Sequence, residues 1–343
     1  MPRILVSIIS DQTIPNLLVI RELEGEYDAQ LFISTQKMER EGKSGWIENA
    51  AGLEQNSVPR IVVNENKWSD IEQKLRDFPF LDDASFIVNL TGGTKIVSLV
   101  VFRFFTKPNN RILYSPIGKN QIEELYPDPG AIALNLSYRL SVLEYFRAFG
   151  LSYTSNNVLS YPRNHTFSFF DYCRAKEFFF PRISKIMRAQ LLESPKDRTY
   201  YAGRWFEEYV FLLIKERFNL PDNHMELTVK LFRSLNDTTI SNEFDVVFTK
   251  DNALYVIECK VSIGSKVTVK DKMEYFLYKL GAITRDFGLS VHSCIFTLSD
   301  ISRLAGSKMD SIKRRREVLG IKAIIDASCF KKSSCVMDIL NSM

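Results

Sequence analysis

The chain has 343 residues, of which 45% are hydrophobic and 25% are charged. This is the composition of an ordinary soluble globular protein rather than of a disordered or membrane chain. The length exceeds that of one typical core, so we expect two domains of roughly 100 to 200 residues each. The apolar N-terminal run from Ile4 to Ile9 is too short for a signal peptide or a spanning helix. We therefore expect a cytoplasmic protein with no membrane association.

Cysteine and histidine usage argues against a zinc site. The five cysteines are odd in number and show neither CxxC nor Cys/His metal spacing, so we expect reduced thiols. The three histidines are scattered and indicate no histidine-based catalytic triad. The residues concerned are Cys173, Cys259, Cys294, Cys329, Cys335, His165, His224 and His292.

Charge divides the chain into two unlike parts. Residues 1–137 hold 14 Lys and Arg against 18 Asp and Glu, a net charge of −4. Residues 138–343 hold 31 against 23, a net charge of +8. The basic part is the better candidate for binding a polyanion, although chance variation in surface charge remains the alternative.

Up to residue 137, short apolar runs alternate with helical segments. Each of the first four predicted strands precedes a helix, and this order predicts a parallel, doubly wound sheet. Two later runs predict a terminal hairpin on that sheet. The strands are expected at RILVSIIS, YDAQLFIS, PRIVVN and ASFIVNL, and the hairpin at NRILYSPI with QIEELYP.

The rest of the chain divides at residue 198. Residues 138–198 are helical and aromatic, with prolines as breakers, and we interpret them as a helical connector. From Thr199 a long helix precedes three strand-like runs, a helix over 271–287 and two further strands. This order predicts a second α/β domain, residues 199–343, that contains an antiparallel hairpin.

The informative segment is NEFDVVFTKDNALYVIECKVS, residues 242–262. If Asp251 and Asn252 form a hairpin turn, Asp245 lies opposite Glu258, with Cβ atoms about 5 Å apart. Lys260 shares the face of Glu258, and Glu243 falls opposite Lys260. Paired carboxylates are the ligands that Mg²⁺ or Mn²⁺ prefers, and a lysine can offset charge on a phosphate. The alternative is a half-exposed strand with salt-bridged charges.

Asp245 followed by Glu258-Cys259-Lys260 resembles the PD-(D/E)xK motif of restriction-endonuclease-like nucleases. The resemblance implies that a preceding helix supplies a further acidic residue. GRWFEEYV matches that helix, with Glu207 the better candidate and Glu208 the alternative. It also implies a metal site formed by Glu207, Asp245 and Glu258. The motif's proline is absent before Asp245.

Basic residues follow this motif on a predicted loop and on later helices. They can hold the phosphate backbone of a substrate, but solvated charge at helix ends explains any one of them equally well. The residues are Lys266, Lys270, Lys272 and the run Lys313, Arg314, Arg315 and Arg316.

In the first domain, SDQTIPN and NLTGGTK follow the first and fourth predicted strands. Ligands of parallel α/β sheets bind beyond the carboxyl ends of the strands, near helix N-termini. Gly92 and Gly93 would let backbone N–H groups approach a phosphate, with Lys95 adding charge, although a simple strand-to-helix turn also explains them. The predicted ligand-binding residues are Ser10, Asp11, Gln12, Thr13, Asn16, Thr91, Gly92, Gly93, Thr94 and Lys95.

Both halves together resemble a CARF domain fused to a PD-(D/E)xK nuclease, as in ancillary effectors of type III CRISPR defence. The resemblance implies a Rossmann-like sensing domain and a homodimer that binds a cyclic oligoadenylate, commonly cyclic tetra-adenylate. It further implies a metal-dependent endonuclease that uses Mn²⁺ or Mg²⁺ to cut single-stranded DNA or RNA and to nick duplex DNA.

Two other classes of function fit the same residues. One is a nucleotide-responsive regulator that binds nucleic acid and has a vestigial nuclease site. The other is a restriction-type endonuclease in which the first domain only dimerises. Dependence of cleavage on a ligand distinguishes these hypotheses.

Overall fold

The computed structural model describes residues 1–130, 133–179, 195–233, 242–263, 269–304 and 306–343. They fall into two compact units. The first contains Met1–Ser152 together with the later segment Phe287–Ser290, and the second contains Tyr153–Leu231 and most of the chain after it.

The first unit is built on a seven-stranded sheet of order β3-β2-β1-β4-β5-β6-β7. Strands β1 to β5 are parallel, and β6 and β7 are antiparallel additions. The doubly wound sheet is therefore confirmed, and the predicted hairpin is β5–β6. The strands are β1 Arg3–Ile8, β2 Ala29–Thr35, β3 Arg60–Val63, β4 Ser85–Asn89, β5 Arg111–Tyr114, β6 Gln121–Tyr126 and β7 Ala133–Asn135.

Helices connect these strands because each parallel pair needs a crossover. The core contains apolar residues of the central strands and of the helices that pack on them, including Val6, Val88 and Val101. Helix α5 begins immediately beyond β4, with Thr94 as its N-cap. The helices are α1 Ile14–Glu22, α2 Gln36–Arg40, α3 Lys43–Ala50, α4 Trp68–Asp77, α5 Lys95–Phe105 and α6 Val142–Arg147.

The second sheet has six strands in the order β13-β12-β11-β10-β9-β8. Strands β9, β10 and β11 are antiparallel neighbours, whereas β11, β12 and β13 run parallel. The predicted mixed α/β domain with a hairpin at its centre is thus observed. The strands are β8 Ser152–Thr154, β9 Met225–Phe232, β10 Asn242–Lys250, β11 Ala253–Lys260, β12 Val291–Thr297 and β13 Ile321–Ile325.

The long helix α9 anchors the core of the second unit. Its Trp205 and Phe206 are buried, and the ring of Tyr209 stacks on Phe170 at 3.7 Å between centroids. Phe170 belongs to α7, so this helix of the segment 138–198 is part of the same core. The helices are α7 Arg163–Ala175, α8 Pro195–Thr199, α9 Trp205–Phe218, α10 Val269–Thr284, α11 Gly306–Val318, α12 Ala327–Phe330 and α13 Ser333–Asn341, and a π-helical turn, Tyr200–Arg204, precedes α9.

The expectation of five reduced thiols is wrong for two of them. Cys329 of α12 and Cys335 of α13 form a disulfide, with Cα atoms 5.3 Å apart. The short connection between these helices brings the two residues together, which their spacing alone did not indicate. Cys173, Cys259 and Cys294 are free and buried. Of the helices in the described ranges, none combines the length and apolarity needed to span a membrane.

Candidate functional site

The hairpin β10–β11 has the predicted register. Paired residues run from Val246 opposite Ile257 to Lys250 opposite Ala253. The turn residues Asp251 and Asn252 both have positive φ, 51° and 60°, which matches the right-handed twist of two-residue hairpins. The paired ladder stops at Val246, one residue short of Asp245, and Glu243 pairs with Lys230 of β9.

Asp245, Glu258 and Lys260 converge at the open end of this hairpin. Lys260 Nζ lies 2.6 Å from Glu258 Oε1 and 3.2 Å from Asp245 Oδ2. The same ammonium donates to the Cys259 carbonyl at 3.0 Å. Asp245 Oδ2 also accepts the backbone N–H of Cys259 at 2.6 Å. The three charged side chains that sequence alternation placed on one face therefore meet in the structure.

Helix α9 presents its two adjacent glutamates differently. Glu208 is fully buried, and its Oε1 accepts the Ser160 N–H at 2.9 Å and the Ser160 hydroxyl at 2.7 Å. Glu207 pairs with Arg204 at 3.3 Å and interacts electrostatically with Asp245. Glu207 is therefore the helix carboxylate that faces the cluster, whereas Glu208 ties the helix to the Ser160 loop.

The clustered carboxylates hold protons more tightly than usual. Burial and the charge of Asp245 raise the pKa of Glu207 to about 7. Burial and the charge of Glu258 raise the pKa of Asp245 to about 6. Burial alone would lower the pKa of Lys260, but the charges of Asp245 and Glu258 raise it above its ordinary value. Negative charge thus accumulates here beyond what one lysine neutralises.

This donor set fits a hard divalent cation in its chemistry. Carboxylate oxygens of Asp245 and Glu258 converge on one ammonium group, and the raised pKa values of Asp245 and Glu207 show that a further positive charge would be stabilised. In the described ranges, no three Asp, Glu, His or Cys side chains already stand in metal-binding proximity. Glu207 is the third carboxylate of the predicted set, and it interacts electrostatically with Asp245.

Two further residues that contact the cluster lie on α10, and no motif in the sequence indicates them. Lys279 Nζ lies 3.8 Å from Glu258 Oε1, so a second cation borders the carboxylate pair. The Phe276 ring lies beneath the first cation, with Lys260 Nζ 5.5 Å from its centroid. Both follow the motif by more than fifteen residues, and only their helical spacing could have indicated a shared face.

A cleft of about 730 Å³ opens beside Glu207. Its lining includes Arg204, Glu243 and Thr228. Thr228 has a φ of 52°, which a β-branched residue rarely adopts. In the pairing of β9 with β10, Thr228 stands opposite Asp245, and these two residues do not form a strand pair. Among the described residues, its buried hydroxyl has no hydrogen-bond partner. Backbone strain of this kind clusters at functional sites.

The predicted basic residues are not gathered into one group. Lys266 lies outside the described residues. Lys270 pairs with Glu274 at 3.4 Å, and Arg316 pairs with Glu317 at 3.5 Å. Arg315 donates to Tyr278 and Glu274, whereas Lys313 and Arg314 are exposed on α11.

In the first unit, the loops that follow β1 and β4 are neighbours because these strands pair in parallel. Asn16 Nδ2 donates to Ile8 O at 3.0 Å and its Oδ1 accepts from Asn89 at 2.9 Å, while Thr13 donates to Ala148 O. Asn16 and Thr13 are therefore buried supports of the loops. Asn89, which the sequence analysis left out, also accepts the Thr91 hydroxyl at 2.6 Å.

The exposed predicted residues lie at the tips of these loops. Asp11 pairs with Lys37 at 3.4 Å, and the Ser10 hydroxyl donates to Gln12 O at 3.3 Å. Gly93, Thr94 and Lys95 are exposed where α5 begins. This edge offers free surface and a helix N-terminus to an anion.

Gly92 has a packing role that the sequence did not indicate. A Cβ at this position would lie 2.1 Å from the carbonyl oxygen of Ile8, so the turn contacts the backbone of β1 directly. Gly93 has a φ of 82°, and a Cβ there would lie 2.6 Å from Ile8 Cγ2. Both glycines are required by the turn's own packing and geometry.

Comparison with known proteins assigns both halves of the chain. Residues 4–145 match the Card1 CARF domain, and residues 195–327 match the Card1-like endonuclease domain. A comparison with curated proteins finds no match. The chain is therefore an endonuclease domain joined to a CARF domain.

Solved structures share this arrangement over the whole chain. Protein VC1899 from Vibrio cholerae superposes with a TM-score of 0.77 at 16% identity, over 99% of this chain and 97% of that one. Can2 from Sulfobacillus thermosulfidooxidans, solved in complex with cyclic tetra-adenylate, has a TM-score of 0.72 at 19% identity, over 99% of both chains. A type III CRISPR defence DNA nuclease activated by cyclic oligoadenylate has a TM-score of 0.59 at 15% identity, over 87% of this chain and 45% of that one. The two domain matches, which together cover most of the chain, show that it belongs to the Card1-like CARF endonucleases.

Proposed function

We propose that this protein is a metal-dependent endonuclease of CRISPR defence that a cyclic oligoadenylate activates. The observation that carries the proposal is the convergence of Asp245, Glu258 and Lys260 beside Glu207. The substrates are single-stranded DNA or RNA, with nicking of duplex DNA. The cluster corresponds to a PD-(D/E)xK site.

In this proposal each part of the chain has its own role. Residues 1–137 bind the ligand, residues 138–198 connect the two domains, and residues 199–343 form the nuclease domain that cleaves nucleic acid. The packing of α7 against α9 supports a mechanical role for the connector, because α9 carries Glu207.

The activator is a cyclic oligoadenylate, with cyclic tetra-adenylate the first choice because the similar Can2 was solved with it. Its phosphates lie at the tips of the β1 and β4 loops, where Lys95 and the N-terminus of α5 supply positive charge. One such edge is too small to enclose a ring. We therefore propose a two-fold homodimer in which two copies form one isologous site.

Cleavage is performed by the residues at the open end of the hairpin. Glu207, Asp245 and Glu258 would hold Mn²⁺ or Mg²⁺, which when bound polarises the phosphate and lowers the pKa of a water. Lys260 stabilises charge that develops on the phosphate. Its ammonium now contacts both carboxylates, so it must reorient toward the substrate during the reaction.

The test is a cleavage assay with labelled single-stranded RNA, single-stranded DNA and plasmid, with and without Mn²⁺ and each cyclic oligoadenylate. We expect cleavage only when both are present, and loss of cleavage in Asp245→Asn and Glu258→Ala with ligand binding retained. Cleavage without ligand would favour a restriction-type enzyme. Ligand binding without cleavage of any substrate would favour a regulator with a vestigial site.

A further inference from the structure

Helix α10 carries an exposed aromatic pair directly beside the catalytic cluster. Tyr275 is 63% exposed and Tyr278 is 52% exposed, which is unusual for two large rings three residues apart on one helix. The next residue on this surface, Lys279, lies 3.8 Å from Glu258. Tyr275 and Lys279 are four residues apart and therefore neighbours on the helix surface.

One of the two rings is held in place by its surroundings. Arg315 of α11 donates to the Tyr278 hydroxyl at 3.0 Å, and its guanidinium lies 5.9 Å from the centroid of the Tyr278 ring. Arg315 is itself fixed by Glu274. The ring of Tyr278 is therefore orientated without being covered, as a stacking surface should be.

Basic side chains outnumber acidic ones around these rings, where the acids include Asp271 on α10 and Asp310 in the neighbouring groove. Lys272 and Lys279 lie three residues before and four residues after Tyr275, on the same face of α10. On the other side, a groove of about 580 Å³ is lined by Tyr278, Arg314 and Arg315. Helix α11 holds five basic and two acidic residues. The surface alternates rings with cations and leads toward Glu258.

We propose that the α10–α11 surface is the docking site for unpaired nucleic acid, with bases stacking on Tyr275 and Tyr278 and phosphates held by Lys279 and Arg314. The proposal rests on the proposed nuclease function and adds the residues that bring a strand to the hairpin. Stacked bases in a duplex are not available to such rings, so the surface discriminates in favour of single strands.

The test measures binding in the inactive Asp245→Asn protein, by fluorescence anisotropy of a labelled twelve-nucleotide strand and of its duplex. Replacing both tyrosines by Leu should weaken single-strand binding about tenfold or more, because each stacked base contributes ~1–3 kcal/mol. Replacing both by Phe keeps the rings and should keep most of the affinity. Lys279→Ala should weaken binding and reduce the salt slope by about one.

Equal affinity of the Leu and parent proteins would overturn the proposal, as would duplex binding as tight as single-strand binding. A change of molecular mass in the Leu protein, measured by light scattering with no change in strand affinity, would instead assign the surface to a second copy. Tyrosine-dependent binding, together with no cleavage of any strand by the protein that keeps Asp245, would retain this surface and reject the nuclease function. Cleavage by a protein that keeps Asp245 but has both tyrosines replaced by Leu, with unchanged strand affinity, would do the reverse.

Discussion

At the scale of single residues, the charged carboxylates of the β10–β11 cluster lower the stability of the fold. The carboxyl groups of Asp245 and Glu207 are partly withdrawn from water and face further negative charge, and so their pKa values rise to about 6 and about 7. A structural salt bridge would lower the pKa of its acid instead. The direction of these shifts favours the catalytic interpretation over the half-exposed strand with paired charges that the sequence also allowed.

The raised pKa values predict a dependence of stability on pH. From about pH 4 to pH 7 the folded state binds more protons at Asp245 and Glu207 than the unfolded state does, so the free energy of unfolding falls as pH rises through this window. Asp245→Asn should reduce that fall, which thermal unfolding between pH 4.5 and pH 7.5 measures. Added Mn²⁺ should stabilise the parent more at pH 7.5 than at pH 5, because protons compete for the same oxygens.

The control for this experiment is Asp310→Asn, which removes one exposed negative charge from the same unit. It corrects the comparison for the change in net charge. If Asp245→Asn and Asp310→Asn changed the pH dependence equally, the raised pKa of Asp245 would not be a property of the cluster.

At the scale of elements, the alternation of side chains explains why the sequence located the hairpin so well. Polar Asp251 and Asn252 separate two apolar runs, and that pattern fixes the register that puts Asp245, Glu258 and Lys260 together. Register is a local property. The prediction of Glu207, by contrast, depends on the resemblance to the nuclease motif, which implies an acidic residue on the helix before that motif.

The remaining features depend on distant parts of the chain. Lys279 of α10 lies near Glu258 of β11, although it follows the motif's lysine by nineteen positions, and Thr228 has its positive φ where β9 passes Asp245 without pairing. The disulfide of Cys329 and Cys335 depends on how two short helices meet. Tertiary packing determines these contacts, and the hydrophobic periodicity of the sequence contains no information about them.

In the loops that follow β1 and β4, we expect one substitution to reduce the stability of the protein and another to reduce only its affinity for the ligand. Gly92→Ala should destabilise the protein, since its Cβ would lie 2.1 Å from the Ile8 carbonyl oxygen and the turn must shift. The loss should exceed ~1 kcal/mol, and ligand affinity should fall with it. Lys95→Ala removes an exposed charge at the start of α5, so it should lower affinity and leave the unfolding temperature unchanged.

The measurements are thermal unfolding and calorimetric titration with cyclic tetra-adenylate. Gly45→Ala provides a control, because Gly45, like Gly92, is a glycine of the first unit without a positive φ, but a Cβ there would meet no atom within 4 Å. A Lys95→Ala protein with full affinity would remove the helix N-terminus from the proposed ligand site.

At the scale of the whole molecule, one short segment of the chain is a candidate for coupling ligand binding in the first unit to the second unit. The segment Phe287–Ser290 belongs to the first unit, although the chain before and after it belongs to the second. The Tyr145 hydroxyl lies 3.1 Å from the carbonyl oxygens of both Phe287 and Ser290. The Leu289 N–H donates to Gln12 Oε1 at 3.2 Å. Gln12, a residue of the loop proposed to bind the ligand, thus accepts a hydrogen bond from this segment.

The same segment leads directly into β12, which pairs with β11 along its length and places Ile295 opposite Glu258. If ligand binding displaces the Gln12 loop, we expect the displacement to reach β12, the strand that pairs with β11, through the backbone of this segment. Activation requires that the ligand favour one of two arrangements of such an element.

Tyr145→Phe should weaken this connection while leaving the ligand loops intact. It removes the hydroxyl that holds the segment, at a cost of ~1 kcal/mol in stability, since a typical buried hydrogen bond contributes that much. We expect ligand affinity close to that of the parent protein and a lower maximal cleavage rate, measured by titrating activator against cleavage. Tyr27→Phe is the matched control, because its hydroxyl donates to Ile20 O at 3.1 Å elsewhere in the first unit. Parental activation of Tyr145→Phe, or an equal loss in Tyr27→Phe, would show that the signal takes another route.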